Sequence, residues 1–265
     1  MRTAYVGDWP ARMWSRTPGR ALVERIDHVL CLDPSRPRPV PLRLAFASDL
    51  HLGPTTPRSV LDRAFALLNE AAPDVLILGG DYVFLEATPE KARTLRALVR
   101  GVAAPIKLAV MGNHDLWTHH ELIEDALAEA GARVLINDAA RLPPPHDDIA
   151  IFGLDDPWTG SPDGARAVAA CGDAPVRLGV CHSPDGVPFV RGMGVSLVLA
   201  GHTHGGQIAL PGPRPLVVPG PLGKKWPFGL HHEGSLTLFV SRGVGTTELP
   251  IRAFATPDIV VFTVT

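Results

Sequence analysis

Five short apolar runs in this chain are each followed at once by residues that bind cations. Asp49 and His51 follow the first, Asp81 the second, and Asn113, His114 and Asp115 the third, while His182 follows the fourth and His202 with His204 the fifth. The donors are oxygen and nitrogen without thiolate, a set that suits Mn²⁺, Fe or Zn²⁺ and argues against a structural cysteine–zinc site. In D-x-H at 49–51 and H-x-H at 202–204, residues two apart point the same way along extended backbone. Each pair therefore grips one centre from one side or straddles two. So many donors exceed the needs of one tetrahedral ion. Two ions about 3.5–4 Å apart and sharing a carboxylate fit better, an arrangement suited to in-line displacement at phosphorus. Taken singly, each residue has an ordinary reading: an Asp as helix cap, Gly-Asp as a turn, a His as a solvated or core residue. Donors at five strand ends favour a site over caps and turns. His28, His119, His120, His146, His231 and His232 receive no role.

The elements that must position these residues are strand-length apolar runs at 42–47, 74–79, 106–111, 149–153, 176–181, 196–201, 236–241 and 258–264. Several are apolar nearly throughout, as in strands covered on both faces. Between the early strands, residues 57–72 place Val60, Leu61, Ala64, Leu67 and Leu68 at helix spacing. Residues 88–101 begin with Thr88 as N-cap and Pro89 in the first turn and stop at Gly101. Residues 118–131 open with a T-x-x-E capping box from Thr118 to Glu121. Alternating strand and helix predicts a layered α/β fold whose ligand site lies at the C-terminal edge of the strands. The later chain, rich in strands, Pro and Gly, predicts a second, more antiparallel sheet and a long loop across 211–235. In that loop Lys224, Lys225 and Trp226 read as a solvated stretch with one anchoring Trp, or as groups that meet a phosphate and an apolar or base moiety.

Composition bounds the rest. The chain has 265 residues, 46% apolar and 20% charged, enough for one large globular α/β unit. Twenty-five Lys and Arg against 27 Asp and Glu leave a net charge of −2, so no overall basic field suits it to a stable nucleic acid partner. Cys31, Cys171 and Cys181 are odd in number and widely spaced, as expected of reduced thiols in a cytosolic chain. No run approaches the ~18–20 apolar residues that span a bilayer, and the N-terminus lacks the apolar core of a signal peptide. Residues 1–41 read as an N-terminal strap and a Pro-rich connector, "DPSRPRPVP", ahead of a domain at 42–265. The strap interleaves arginines with Trp9 and Trp14. It suits either packing onto the domain or peripheral contact with the inner face of a membrane.

In order, "DLH" at 49, "GD" at 80, "GNHD" at 112, "CHSPD" at 181 and "GHTHGGQ" at 201 resemble the signature of the calcineurin-like metallophosphoesterase superfamily, across residues 44–208. The ending "FVSRGVGTTELPIRAFATPDIVVFTV" is similar to the bacterial branch of membrane-associated phosphodiesterases described beside UDP-2,3-diacylglucosamine hydrolases. The resemblance implies a four-layer αββα sandwich with two mixed β-sheets. It implies one metal held by Asp49, His51, Asp81 and His204 and another by Asp81, Asn113, His182 and His202, with Asp81 bridging and a hydroxide between the ions attacking phosphorus. His114 would face the phosphate and assist the leaving oxygen, and Asp115 would orient His114 from behind. The implied function is a dinuclear metal-dependent phosphodiesterase or pyrophosphatase acting on a phosphate ester, lipid-linked or nucleotide. A non-catalytic scaffold would be expected to have lost ligands, and a nuclease of the same superfamily would call for a basic surface.

Overall fold

A computed structural model of the chain describes residues 5, 7, 9–14, 16, 22–32, 38–212 and 214–265. The chain opens with α1 (Trp9–Trp14), β1 (Glu24–Leu30), β2 (Leu42–Ala47), α2 (Arg58–Glu70), β3 (Val75–Leu78), α3 (Pro89–Arg100) and β4 (Ile106–Ala109). A single turn, α4 (Asn113–Leu116), leads into α5 (His120–Glu129), β5 (Ala132–Val134), β6 (Asp138–Arg141) and β7 (Ile149–Gly153). Then come α6 (Gly164–Ala169), β8 (Val176–Val180), β9 (Leu197–Ala200) and a small hairpin of β10 (Ala209–Leu210) with β11 (Arg214–Pro215). Strands β12 (Gly229–Glu233), β13 (Leu236–Val240) and β14 (Asp258–Val264) follow, and two short 3-10 turns, Pro184–Phe189 and His204–Gly206, complete the described elements.

Two six-stranded sheets result, ordered β1-β14-β2-β3-β4-β5 and β12-β13-β9-β8-β7-β6. Period-2 alternation makes the layers. In β2, Leu42, Leu44 and Phe46 enter the core between the sheets, while Ala45 and Ala47 face the helices. Ile149, Ile151, Leu178, Val180, Leu197, Leu199 and Phe239 meet them from the second sheet. Helices α2, α3 and α5 cover the outer face of the first sheet; α6 and the loop residue Trp226 cover that of the second. The architecture is the expected α/β sandwich of two mixed sheets.

Helices α2 and α3 fall within the predicted spans, and Thr88 Oγ1 accepts the Lys91 amide as an N-cap. One expectation is met and two are corrected. The second sheet is the more antiparallel: antiparallel pairs form both of its edges, against the single β14–β2 pair of the first sheet, while β13, β9, β8 and β7 run parallel. Thr118 makes no capping box, because its hydroxyl accepts the Ala87 amide at 2.9 Å and α5 starts two residues later without a side-chain cap. The long loop at 211–235 is broken by β11 and β12.

Within the N-terminal segment, β1 pairs with β14 and so belongs to the first sheet, Trp14 is buried in the core beneath the helices, and Trp9 is half exposed. Residues 33–37 of the Pro-rich connector lie outside the described residues. In the 211–235 segment, Trp226 is buried and Lys225 pairs with Glu233 at 2.8 Å. Cys31, Cys171 and Cys181 are free thiols. Among the described residues, no helix is long and apolar enough to cross a membrane.

Candidate functional site

The C-terminal ends of β2, β3, β4, β8 and β9 lie side by side because those strands are parallel neighbours within their sheets. The ladders continue past the strand ends: Asp49 N–H donates to Gly80 O at 2.9 Å, His51 N–H to Asp81 O at 3.0 Å and Gly201 N–H to His182 O at 2.8 Å. Beyond these bonds the backbone turns sharply. Asp49, His51, Asp81, His202 and His204 all adopt φ between +45° and +70°. That left-handed region is uncommon for side-chain-bearing residues, costs of order 1–3 kcal/mol each, and concentrates at functional sites. Close approach also needs glycine at two points. A Cβ at Gly112 would strike the Asp81 carboxylate, and one at Gly201 would strike Ser48 and Asp49.

The side chains gather into two groups, Asp49 with His51 and His204, and Asp81 with His182 and His202. In each, the candidate ligand atoms lie within 4.8 Å of one another. Asp81 joins them. Its Oδ2 sits 3.5 Å from His51 Nε2 and 3.2 Å from His182 Nε2, while its Oδ1 accepts the His114 amide at 2.9 Å. His51 Nε2 faces His204 Nε2 at 3.1 Å, and His202 Nδ1 faces His182 Nε2 at 3.2 Å. His182 Nδ1 donates to Gly79 O at 2.8 Å, which turns Nε2 toward the cluster. Lone pairs converging at such distances repel unless a cation lies among them. Asn113 Oδ1 is buried and has no hydrogen-bond partner, a further donor waiting for one. By donor type and convergence, the residues fit a pair of divalent ions.

The electrostatics agree. Burial, with the Arg252 charge as a lesser cause, holds His51 and His204 well below the ordinary histidine range, and burial with the neighbouring His182 pushes His202 down to about 3. All three are thus neutral imidazoles near pH 7, the form that ligates metal. Burial pushes Asp49 up to about 6, the Asp81 carboxylate adding to it against the pull of His182. Burial opposes a charge on His182, yet Asp81 and then Asp49 and Asp156 hold it well above its usual value. Asp81 is held well below the carboxylate range, His182 outweighing burial. The cluster's negative charge calls for a cation.

His114 is half-buried at the rim, its ring 5.0 Å from that of His51 and 4.9 Å from that of Trp117. Asp115 does not do what was expected of it. Its Oδ2 accepts the Asp81 and Gly112 amides and its Oδ1 those of Tyr82 and Val83, at 2.8–3.3 Å. Both oxygens are spent on backbone, so the carboxylate braces the loop carrying Asp81 instead of orienting the His114 ring.

Two contributors went unread in the sequence. Trp158 packs its ring 4.6 Å from that of His202. It follows β7, whose end "GLDDPW" lies at the same sheet edge, and that position was the available signal. Arg252 is partly buried; its Nη1 donates to His204 O and Arg242 O and its Nη2 lies 3.2 Å from His204 Nδ1. It lies between β13 and β14 with no local pattern to mark it.

The model of the family described as calcineurin-like phosphoesterase matches residues 42–206, and six of the seven expected ligands besides His114 and Asp115 sit well inside that span, His204 near its end. The chain is 33% identical over 219 residues to the uncharacterized metallophosphoesterase YkuE of Bacillus subtilis, covering 82% of this chain and 76% of that one. It is 32% identical over 213 residues to the phosphodiesterase YaeI of Escherichia coli, covering 78% and 76%. Among solved structures, the NAD nucleotidase NadN of Haemophilus influenzae superposes with a TM-score of 0.50 at 11% identity, over 78% of this chain and 49% of that one, a likeness of fold alone.

Proposed function

The chain belongs to the calcineurin-like phosphoesterase family, and from that premise we propose that it is a dinuclear metal-dependent phosphodiesterase. The observation that carries this reading is Asp81 Oδ2, set between His51 and His182 so that one carboxylate oxygen joins two ligand groups. Asp49, His51, Asp81 and His204 would hold one ion; Asp81, Asn113, His182 and His202 would hold the other. When bound, such a pair lowers the pKa of a water and neutralises charge building up on phosphoryl oxygens. The protein's own residues do the rest. Neutral buried imidazoles and paired carboxylates fix the ions, and the amide bonds to Asp115 hold the Asp81 loop in place. His114, at the mouth, donates to the departing oxygen.

The diester reading rests on the pocket beside the ligands. Among the described residues that line it there is no lysine or arginine, and Glu248 is present. A singly charged diester suits such walls better than a pyrophosphate or a dianionic monoester. Lipid-linked and nucleotide esters both fall in this class. The test is hydrolysis of bis-p-nitrophenyl phosphate by the Mn²⁺-loaded protein, with metal counted by elemental analysis. Turnover is expected, and His114→Ala should keep two metals while kcat drops roughly 10²–10⁴-fold. Absence of turnover with Mn²⁺, Fe²⁺ and Zn²⁺ alike would sink the enzyme reading. Loss of metal in His114→Ala would sink the role given to His114.

A further inference from the structure

Beside the ligand cluster the surface opens into a cavity of about 410 Å³ whose walls include Trp117, Trp158, Val217, Pro219 and Leu249. Trp117 is 60% and Trp158 45% exposed, unusual for indoles that border a ligand cluster. Trp158 is exposed yet fixed. Asp156 Oδ2 accepts the amides of Trp158 and Thr159 and the Thr159 hydroxyl at 2.7–3.0 Å, forming a tight turn with Trp158 inside it. The indole Nε1 donates to Asp185 Oδ2 at 2.9 Å, and Asp185 Oδ1 accepts the Leu222 amide at 2.9 Å. The ring is therefore clamped at its backbone and at its far edge. It rests against His202 at an interplanar angle of 56° and forms part of the pocket wall. A ring held rigid before binding loses little entropy when another ring stacks on it.

We propose that Trp158 is a stacking platform that makes this site select phosphate esters carrying a planar aromatic substituent, such as a nucleobase or an aryl ring. The inference rests on the phosphodiesterase reading and names the class of group that the ester carries. Trp117, packed against His114 on the same pocket, adds apolar surface for that group. The absence of lysine and arginine among the described lining residues fits a neutral ring and not a second phosphate.

The test is calorimetric binding of methyl-, cyclohexyl- and phenylphosphonate to the Mn²⁺-loaded protein, three probes that share a head group and differ in what the pocket would hold. Phenylphosphonate should bind about tenfold more tightly than methylphosphonate, in keeping with the worth of ring stacking, and more tightly than the cyclohexyl probe of similar bulk. In Trp158→Ala the phenyl preference should fall to within about twofold, and in Trp158→Phe it should persist. A metal defect in either variant would weaken all three probes alike and leave the ratio intact. Equal affinity for phenyl and cyclohexyl, or a ratio unchanged in Trp158→Ala, would overturn the platform. If none of the three binds while bis-p-nitrophenyl phosphate is still turned over, the platform is overturned and the phosphodiesterase reading stands; if turnover is absent too, both fall.

Discussion

Asp115 carries four backbone amides on two oxygens, and this load explains why it follows His114 in the sequence without serving it. Asparagine at this position would keep one acceptor oxygen and turn an NH₂ toward amide donors. Asp115→Asn should therefore cost about 1–3 kcal/mol, seen as a lower Tm in thermal unfolding. Had Asp115 oriented the His114 ring, the variant would instead change the pH profile of activity at constant Tm. The donors themselves were legible in the sequence, because a residue type at a strand end is a local fact. The left-handed backbone at Asp49, His51, Asp81, His202 and His204 was not, since it is imposed by ladder bonds between strands distant in sequence. The roles of Asp115 and Arg252 were hidden for the same reason: each partners groups that only the fold brings near.

The eight apolar runs read from the sequence became the eight inner strands, whereas β1, β5, β6 and β12, which escaped, are the four sheet edges. An inner strand is buried on both faces and reads as apolar; an edge strand such as "ERIDHVL" is half solvated and carries charges that discourage further pairing. Helix α3 shows a second consequence of burial. Lys91, just inside its start, donates to Phe84 O at 2.7 Å and Glu86 O at 2.6 Å, holding the loop whose Phe84 ring touches His51 and His114. Burial, only partly opposed by Glu86, lowers the Lys91 ammonium from the usual 10.5 to about 8. The unfolded chain thus binds the proton over a range where the folded chain has released it, and stability rises with pH from about 8 upward. The increment is lost as pH falls through about 8. Denaturant midpoints between pH 8 and 10 should climb in the wild type relative to Lys91→Met, and parallel curves would refute this origin. The window stops near 10 because buried Tyr82, raised well above its usual value, acts in the opposite direction above it.

At the scale of the molecule, the two sheets share one core and the ligand groups draw on both: Asp49, His51 and Asp81 come from the first, His182, His202 and His204 from the second. Ions bound there would tie the sheets together and, binding only the folded chain, would add about 2.7 kcal/mol at a hundredfold excess over Kd. Removal of metal by a chelator should then lower Tm by roughly 5–10 °C for a chain of this size, with recovery on adding Mn²⁺. A Tm indifferent to chelator would show that the ligand cluster stands without a cation. The order of assembly is a further consequence of how the first sheet closes. Strand β14, the latest in chain order of the described strands, lies between β1 and β2, the earliest two. While the chain is being synthesised, β2 has an open flank until residues 258–264 emerge, and Arg242, Arg252 and the Asp258 that binds Arg242 arrive almost as late. The sheet edge beside the ligand-bearing strand β2 is thus covered only when this late strand pairs, and a nascent chain short of β14 offers a sticky edge there.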